Sequence, residues 1–497
     1  MEGRGELKTN KKERGNSIMG GLFWSFGERI TAQLVTTIVT IILARLLDPA
    51  HYGIVSIVTI FVTFCNIFVS GGLGSAVVQK KNPTEDDFNT AFILSFSISI
   101  VLYLVLFFAA PLIAAFYKMN ELTMVTRVMG IRLIFASLNT IQHAYIQKQM
   151  NFKKFFFATL FGTIISAIVG LVLAYKGYGV WALVAQYLTN TIIDTIVLLF
   201  VGGWIPRLKF CIDNAKKLFS FGWKVLVTEL IYTLESDIRS LIVGKVFGSA
   251  DLAFYDQGKK YPALFVNNLN SSINKVMLPA YSKNQDSLLV LKEMLRKSIK
   301  VGVYLLAPLL VGFAVVSNNF VSLVLTDKWL QCVPYIQIFC IIYLTRPLET
   351  SCHQALLAIG DSGLVMRIML IINVFALFTV LIAVFVFKSV FLIAIGSLLS
   401  TFISIGLFMY MTNRKIGYKL NEQVKDISYV LISSIIMGLV VYLVGKISIS
   451  TIFLLIIQIV VGAIIYILLS HFMKLYGYVY IKGKIFKKVM GGKNEKV

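Results

Sequence analysis

The sequence predicts an all-α polytopic membrane protein with 14 transmembrane helices. Three observations carry this reading. Of the 497 residues, 57% are hydrophobic and only 14% charged, whereas a soluble protein is about 25% charged; mean hydropathy is +0.80. Apolar runs of roughly 20 residues, the length that spans a bilayer as a helix, recur to the C-terminus. The short alternating segments of a membrane β-barrel do not occur.

The elements follow in order. A polar, basic segment over 1–17 precedes an apolar span far longer than a signal-peptide core, so the first helix is expected to be retained rather than cleaved. Spans are expected at 18–46, 50–78, 88–116, 122–146, 155–176, 179–203, 218–246, 251–282, 298–325, 331–358, 363–386, 389–412, 427–446 and 450–472. The connections are too short to hold a soluble domain. With the N-terminus inside, 31 of the 47 Lys and Arg fall in inner segments. Seven fall in outer turns: Arg45, Lys118, Lys176, Lys245, Lys328, Lys388 and Lys446. That asymmetry predicts a cell-membrane protein with both termini cytoplasmic.

A formal net charge of +23 could suggest nucleic acid, but the cations sit in loops beside apolar spans, where they set topology and meet anionic headgroups. No nucleic-acid partner is expected. Five cysteines (Cys65, Cys211, Cys332, Cys340, Cys352) show neither CxxC nor His-paired spacing, so neither a metal site, a disulfide framework nor a cofactor is expected. The Asp86-Asp87 pair in NPTEDDF reads as a helix N-terminus.

An internal repeat organises the spans. Ser25-Phe26-Gly27 opens the first helix as Ser220-Phe221-Gly222 opens the seventh; ARLLDPAHYG (44–53) lies over GKVFGSADLA (244–253); NTIQHAYIQK (139–148) lies over ETSCHQALLA (349–358). A six-helix spacing is even, so the copies run parallel. The expected architecture is two parallel six-helix lobes, 18–203 and 218–412, joined by a cytoplasmic linker over 204–217 and enclosing a central cavity. Two further helices over 413–472 and a basic tail over 473–497 complete it.

Polar residues mark what faces that cavity, because a charge at membrane depth costs about 2.5 kcal/mol or more unless it meets protein or water. Ser25, Arg29, Gln33, Thr36 and Thr40 lie within about 40° of one line on the first helix. Ser56, Thr59, Thr63, Asn66 and Ser70 form a stripe on the second. Lys224, Thr228, Glu235 and Arg239 share a face of the seventh, and Asp256, Lys260, Asn267, Ser271 and Asn274 a face of the eighth. Blander readings stand beside these. Ser and Thr also bond carbonyls one turn back, and Glu235–Arg239 and Asp256–Lys260 are also i, i+4 neutralising pairs. Arg127 and Arg132 suit snorkelling at a membrane boundary, His143 and His353 suit packing, and Asp194 stands alone. Arg346 lies deep, before Pro347, where a kink is expected. Cations outnumber the clearly buried acids, and a cavity so lined suits an anion such as a diphosphate.

Four stretches, ARLLDPAHYGIVS, SGGLGSAVVQKKN, FYDQGKKYPALFVNNLNSSINKVMLPAYSK and TRPLETSCHQALLAIGD, resemble the polysaccharide flippases of the multidrug/oligosaccharidyl-lipid/polysaccharide exporter superfamily, of the O-antigen and teichuronic-acid type. The resemblance extends through the twelfth helix. Where that family commonly has YNRAYRL, this chain has Tyr255-Asp256-Gln257-Gly258-Lys259-Lys260-Tyr261, so Lys260 keeps the last basic position and Gln257 loses the first. The resemblance implies translocation of undecaprenyl-diphosphate-linked oligosaccharide units by alternating access, driven by a proton or sodium gradient, in company with polysaccharide polymerase machinery. Similarity to lipid II flippases implies a groove for the polyprenyl tail at the last two helices. Arg29, Lys224, Arg239, Lys260 and Arg346, with Gln33 and Asn267, are the expected substrate contacts. Glu28, Asp237 and Glu349 are the expected coupling or charge-balancing groups.

Two other classes fit the sequence less well. A drug or cation antiporter of the multidrug branch needs an acidic or aromatic cavity, against the cationic surplus. A membrane enzyme of polysaccharide assembly, with a large external loop or nucleotide-sugar domain, does not fit the short connections. The chain is expected not to be an enzyme.

Overall fold

In a computed structural model, residues 33–491 are described except 71, 81, 150–152 and 284–286; at some helical positions, including 224, 228, 235, 268–276 and 484–491, only the backbone is. Among the described residues every regular element is a helix. Ten helices among the described residues are long and apolar enough to cross a membrane. The chain divides into two compact units, residues 1–253 and 254–497.

The first unit holds α1, described over Gln33–Leu46, then α2 (Pro49–Ser70), α3 (Leu73–Gln79), α4 (Glu85–Tyr117), α5 (Glu121–Gly130), α6 (Arg132–Lys148), α7 (Lys153–Tyr175), α8 (Val180–Gly202) and α9 (Ile212–Val246). It also takes the first turn of α10 (Ser249–Lys283). The division falls after Ala253, beyond the linker at 204–217, because α9 packs on α2, α3 and α4. Two expected spans are interrupted. The second breaks before α3, where Gly72 has φ +64 and its missing Cβ admits the backbone of Gly222; an L-residue would be strained there. The fourth ends at Gly130 and restarts at Arg132.

Cations expected on one membrane face meet at one end of this unit. Asp87 accepts hydrogen bonds from the backbone N–H of Thr84 (2.8 Å) and from Lys80 Nζ (2.7 Å), closing the N-terminus of α4 as NPTEDDF predicts. Lys209 and Arg207 reach Asp86 (2.9 Å) and Glu85 (3.2 Å) in the same turn. Lys148 donates to the carbonyls of Val78 (3.0 Å) and Lys80 (2.6 Å), and Lys154 to that of Gly202 (2.9 Å). Cations thus cap carbonyl ends, and acids the amide end.

Glycine sets the closest helix approach. A Cβ on Gly53 of α2 would overlap the backbone carbonyl of Ser249, where no flexible side chain can give way. Gly53→Ala is therefore expected to cost about 1–3 kcal/mol or more, read as a lower melting temperature of the purified protein. An unchanged melting temperature would mean that α2 and the start of α10 do not meet this closely.

The second unit continues α10 and adds α11 (Leu288–Val324), a 3-10 helix (Asp327–Cys332), α12 (Val333–Leu344), α13 (Arg346–Ala358), α14 (Ser362–Phe385), α15 (Val390–Ile416), α16 (Leu420–Val444), α17 (Thr451–Phe472) and α18 (Tyr476–Gly491). The kink expected at Pro347 is a break at Thr345, since proline offers no N–H to the preceding turn. Beyond residue 472, the basic tail winds into α18, whose Gly477 lies against the ring of Tyr304. Asp426 of α16 ties this side together: it accepts two hydrogen bonds from Arg296 (2.6 and 2.9 Å) and one from Tyr418 (2.7 Å), and pairs with Lys300 (2.9 Å). Burial, and then the bond it donates to Asp426, push the Tyr418 phenol above its ordinary range.

The expected spans missing from the ten apolar helices are the described part of α1, α9, α10 and the α12–α13 pair. These hold Gln33, Arg239, Lys260 and Arg346. Over their described residues α1 is apolar but too short to span and α12 ends after 12 residues, whereas α9 and α10 carry charged residues along their length.

Candidate functional site

The expected site residues fall in both units. Glu28 and Arg29 lie outside the described residues, as does the side chain of Lys224. In the first unit, Gln33 is exposed on α1, its amide 3.4 Å from the Thr37 hydroxyl, which donates to the Gln33 carbonyl (2.7 Å). On α2 the polar stripe is partly open while Ile57, Val58 and Val69 are fully buried. Within that stripe Thr59 Oγ1 and Asn66 Oδ1 are buried with no hydrogen-bond partner among the described residues, which suits a surface waiting for polar groups. Asp237 and Arg239 are half-buried on α9.

In the second unit the arrangement of α10 is sharper. Its buried face carries Tyr255, Gly258, Tyr261 and Val266, with Tyr255 edge-on to Tyr335 and Phe339 (5.9 and 5.4 Å between centroids). Lys260 and Asn267 are exposed. Gln257, at the position where a basic residue is common in the resembled family, is buried instead, its Oε1 without a partner among the described residues.

The structure also joins residues that sequence reasoning left apart. Asp194 on α8 is not alone: Asn139 Nδ2 of α6 donates to its Oδ2 (3.1 Å), and His143 Nε2 lies 3.7 Å from the same oxygen. Arg132 does not snorkel to a boundary; its Nε donates to Thr191 (3.1 Å) and its guanidinium lies 5.2 Å from the centre of the Tyr187 ring. Arg127 likewise donates to the Phe107 carbonyl (3.3 Å). In the second unit, Arg346 pairs with Glu349 (3.2 Å), whose other oxygen accepts from Ser404 of α15 (2.8 Å). The repeat relates the two contacts once the structure has shown them, although the sequence alone carries no signal for either. Asn139 lies over Glu349, and each meets a partner 55 residues further on. Among the described residues no group of three or more His, Cys, Asp or Glu could hold a metal ion.

Comparisons with known proteins bear on this arrangement. Residues 42–334 match the family described as polysaccharide biosynthesis protein. The chain is 24% identical over 352 residues to the teichuronic acid biosynthesis protein TuaB of Bacillus subtilis, covering 70% of this chain and 72% of that one. It is 23% identical to the lipopolysaccharide biosynthesis protein WzxC of Escherichia coli, covering 64% of this chain and 65% of that one. Among solved structures, the lipid II flippase MurJ in an inward closed conformation superposes with a TM-score of 0.71 at 15% identity, over 92% of this chain and 98% of that one. An inward-facing multidrug resistance MATE transporter gives 0.63 at 12%, over 78% and 94%. These superpositions establish a shared fold.

Proposed function

The chain belongs to the polysaccharide biosynthesis protein family, and from that premise we propose that it is a flippase that carries lipid-linked oligosaccharide across the membrane for surface polysaccharide assembly. The substrate is a polyprenyl-diphosphate-linked repeat unit, moved from the cytoplasmic to the outer leaflet of the cell membrane. The observation that supports this most is where membrane-depth cations concentrate. Three of the expected substrate cations, Arg239 on α9, Lys260 exposed on α10 and Arg346 opening α13, lie on described helices outside the ten apolar spans, while Arg127 and Arg132 lie on one of those spans and are held by neighbouring side chains and carbonyls. A basic, hydrated path fits a diphosphate and its sugars, while the polyprenyl tail stays in lipid.

In this reading 14 spans form two six-helix lobes, 18–203 and 218–412, that alternate access to a central cavity, with both termini cytoplasmic. Arg29, Lys224, Arg239, Lys260 and Arg346 hold the diphosphate, Gln33 and Asn267 contact polar groups of the sugar, and Glu28, Asp237 and Glu349 balance charge or couple to an ion. The last two spans offer the tail an apolar groove, and polymerase machinery takes the product. A related antiporter would bind organic cations, which the exposed Lys260 opposes.

The test is leaflet translocation of a fluorescent polyprenyl-diphosphate-linked sugar in proteoliposomes made with the purified chain. Translocation well above that of empty liposomes is expected. No acceleration, together with efflux of cationic dyes, would replace this reading by the antiporter.

A further inference from the structure

The register of the internal repeat sets two polar centres in correspondence. Asn139 and His143 of α6 align with Glu349 and His353 of α13, and Asp194 lies the same 55 residues beyond Asn139 as Ser404 lies beyond Glu349. Each centre sits on the second piece of an interrupted helix, α6 or α13. The two have traded chemistry. In the second unit the carboxylate is on the interrupted helix, where Arg346 neutralises it and Ser404 completes its bonding. In the first unit the carboxylate is on α8, and the partners described for it are the amide of Asn139 and the imidazole of His143. Its Oδ1 and the Oδ1 of Asn139 are both buried with no hydrogen-bond partner among the described residues.

We infer that His143 and Asp194 form a proton-exchanging centre of the first unit, at the place where the second unit has the charge-balanced Arg346–Glu349 pair. This rests on the flippase reading and names how that site is driven. A carboxylate at membrane depth must be balanced. Asp194 with neutral imidazole carries net −1; one proton bound on the imidazole brings the pair to zero, and its release restores −1. No other bond changes. The His143 side chain is 46% exposed, against 18% for Asp194, so the proton has a way in and out on the histidine side. A hard metal cation takes a shell of oxygens, whereas this centre offers a carboxylate, an amide and an imidazole, which suits a proton.

Neighbouring helices bring few competing charges. On α6 itself Arg132 is engaged by Thr191 and Tyr187 of α8, and Lys148 by the carbonyls of Val78 and Lys80 beside α3. Arg127 of α5 is held by Phe107, and Glu121 opens that helix. The acids of α4 (Glu85, Asp86, Asp87) are paired at its start with Arg207, Lys209 and Lys80, and its Tyr103 and Tyr117 are phenols. Between its ends α7 has no titratable side chain, and its Gly162, Ser166 and Gly170 lie beside α8; Lys154 at its start caps α8, and Lys153 and Tyr175 mark its ends. From α2 come Cys65 and, at its outer end, His51 and Tyr52.

The test uses the full chain in proteoliposomes and reads the steady-state leaflet ratio of the labelled lipid-linked sugar. A pH difference of one unit is expected to shift that ratio by up to about tenfold per proton moved. His143→Gln and Asp194→Asn, neither a substrate contact, are expected to lose the shift while still equilibrating the sugar within about threefold of the parent rate. Asp194→Glu, which keeps the carboxylate, is expected to retain the shift. Persistence of the shift in H143Q or D194N, an equal shift under a sodium gradient alone, or loss of equilibration in folded variants overturns the inference. A parent that equilibrates the sugar but ignores the pH difference overturns it too, and leaves the flippase standing. A parent that moves no sugar removes the flippase reading and the inference with it.

Discussion

Replacing Lys260 by alanine is expected to cut translocation of lipid-linked sugar at least tenfold while leaving the protein folded in the membrane. Lys260 is exposed on α10, and that helix packs through the opposite residues Tyr255, Gly258, Tyr261 and Val266. Trimming the lysine therefore removes little packing. What it removes is a charge-assisted contact to phosphate, worth roughly 1.5–3 kcal/mol, or about tenfold to a hundredfold in binding. Arg29→Ala, on the first expected span, is expected to act the same way. Polymer export in cells and membrane abundance by immunoblot, measured together, separate lost transport from lost protein. Unchanged export in both variants would sink the assignment of these cations to the substrate path.

The largest stability loss is expected from Asp426→Ala. The carboxylate is 6% exposed and receives two hydrogen bonds from Arg296, one from Tyr418 and the ammonium of Lys300. It bridges α11, α16 and the turn that joins α15 to α16. Its removal leaves two partly buried cations without their hydrogen-bonded carboxylate, with only Glu422, already paired with Lys292, nearby, and breaking such a group costs about 3 kcal/mol. The control is Glu293→Ala. Glu293 meets Lys297 at 3.5 Å with both side chains well exposed, an arrangement worth at most about 0.5 kcal/mol. Melting of the purified proteins should show a clear drop for the first and almost none for the second. Equal effects would mean that the Asp426 cluster is solvated and contributes no more than a surface pair.

The sequence by itself determined the fold class, because a helix that crosses a bilayer must be built from about 20 nearly consecutive apolar residues and satisfies its backbone internally. The α4 N-terminus at Thr84–Asp87 and the break before Pro347 follow from equally local chemistry, whereas α9, α11 and α16 begin 6 to 10 residues before the apolar spans expected for them. So does the family, which residue patterns along one strand of text carry. Tertiary structure alone decided which polar residues meet. Asp194 and Asn139 stand 55 residues apart, as do Ser404 and Glu349, and no periodicity within one helix reports a contact between two. The same holds for Asp426, 130 residues from Arg296, and for the glycine at 53 that lets α2 reach Ser249. Helical pattern fixes which face a side chain occupies; only packing fixes what that face touches.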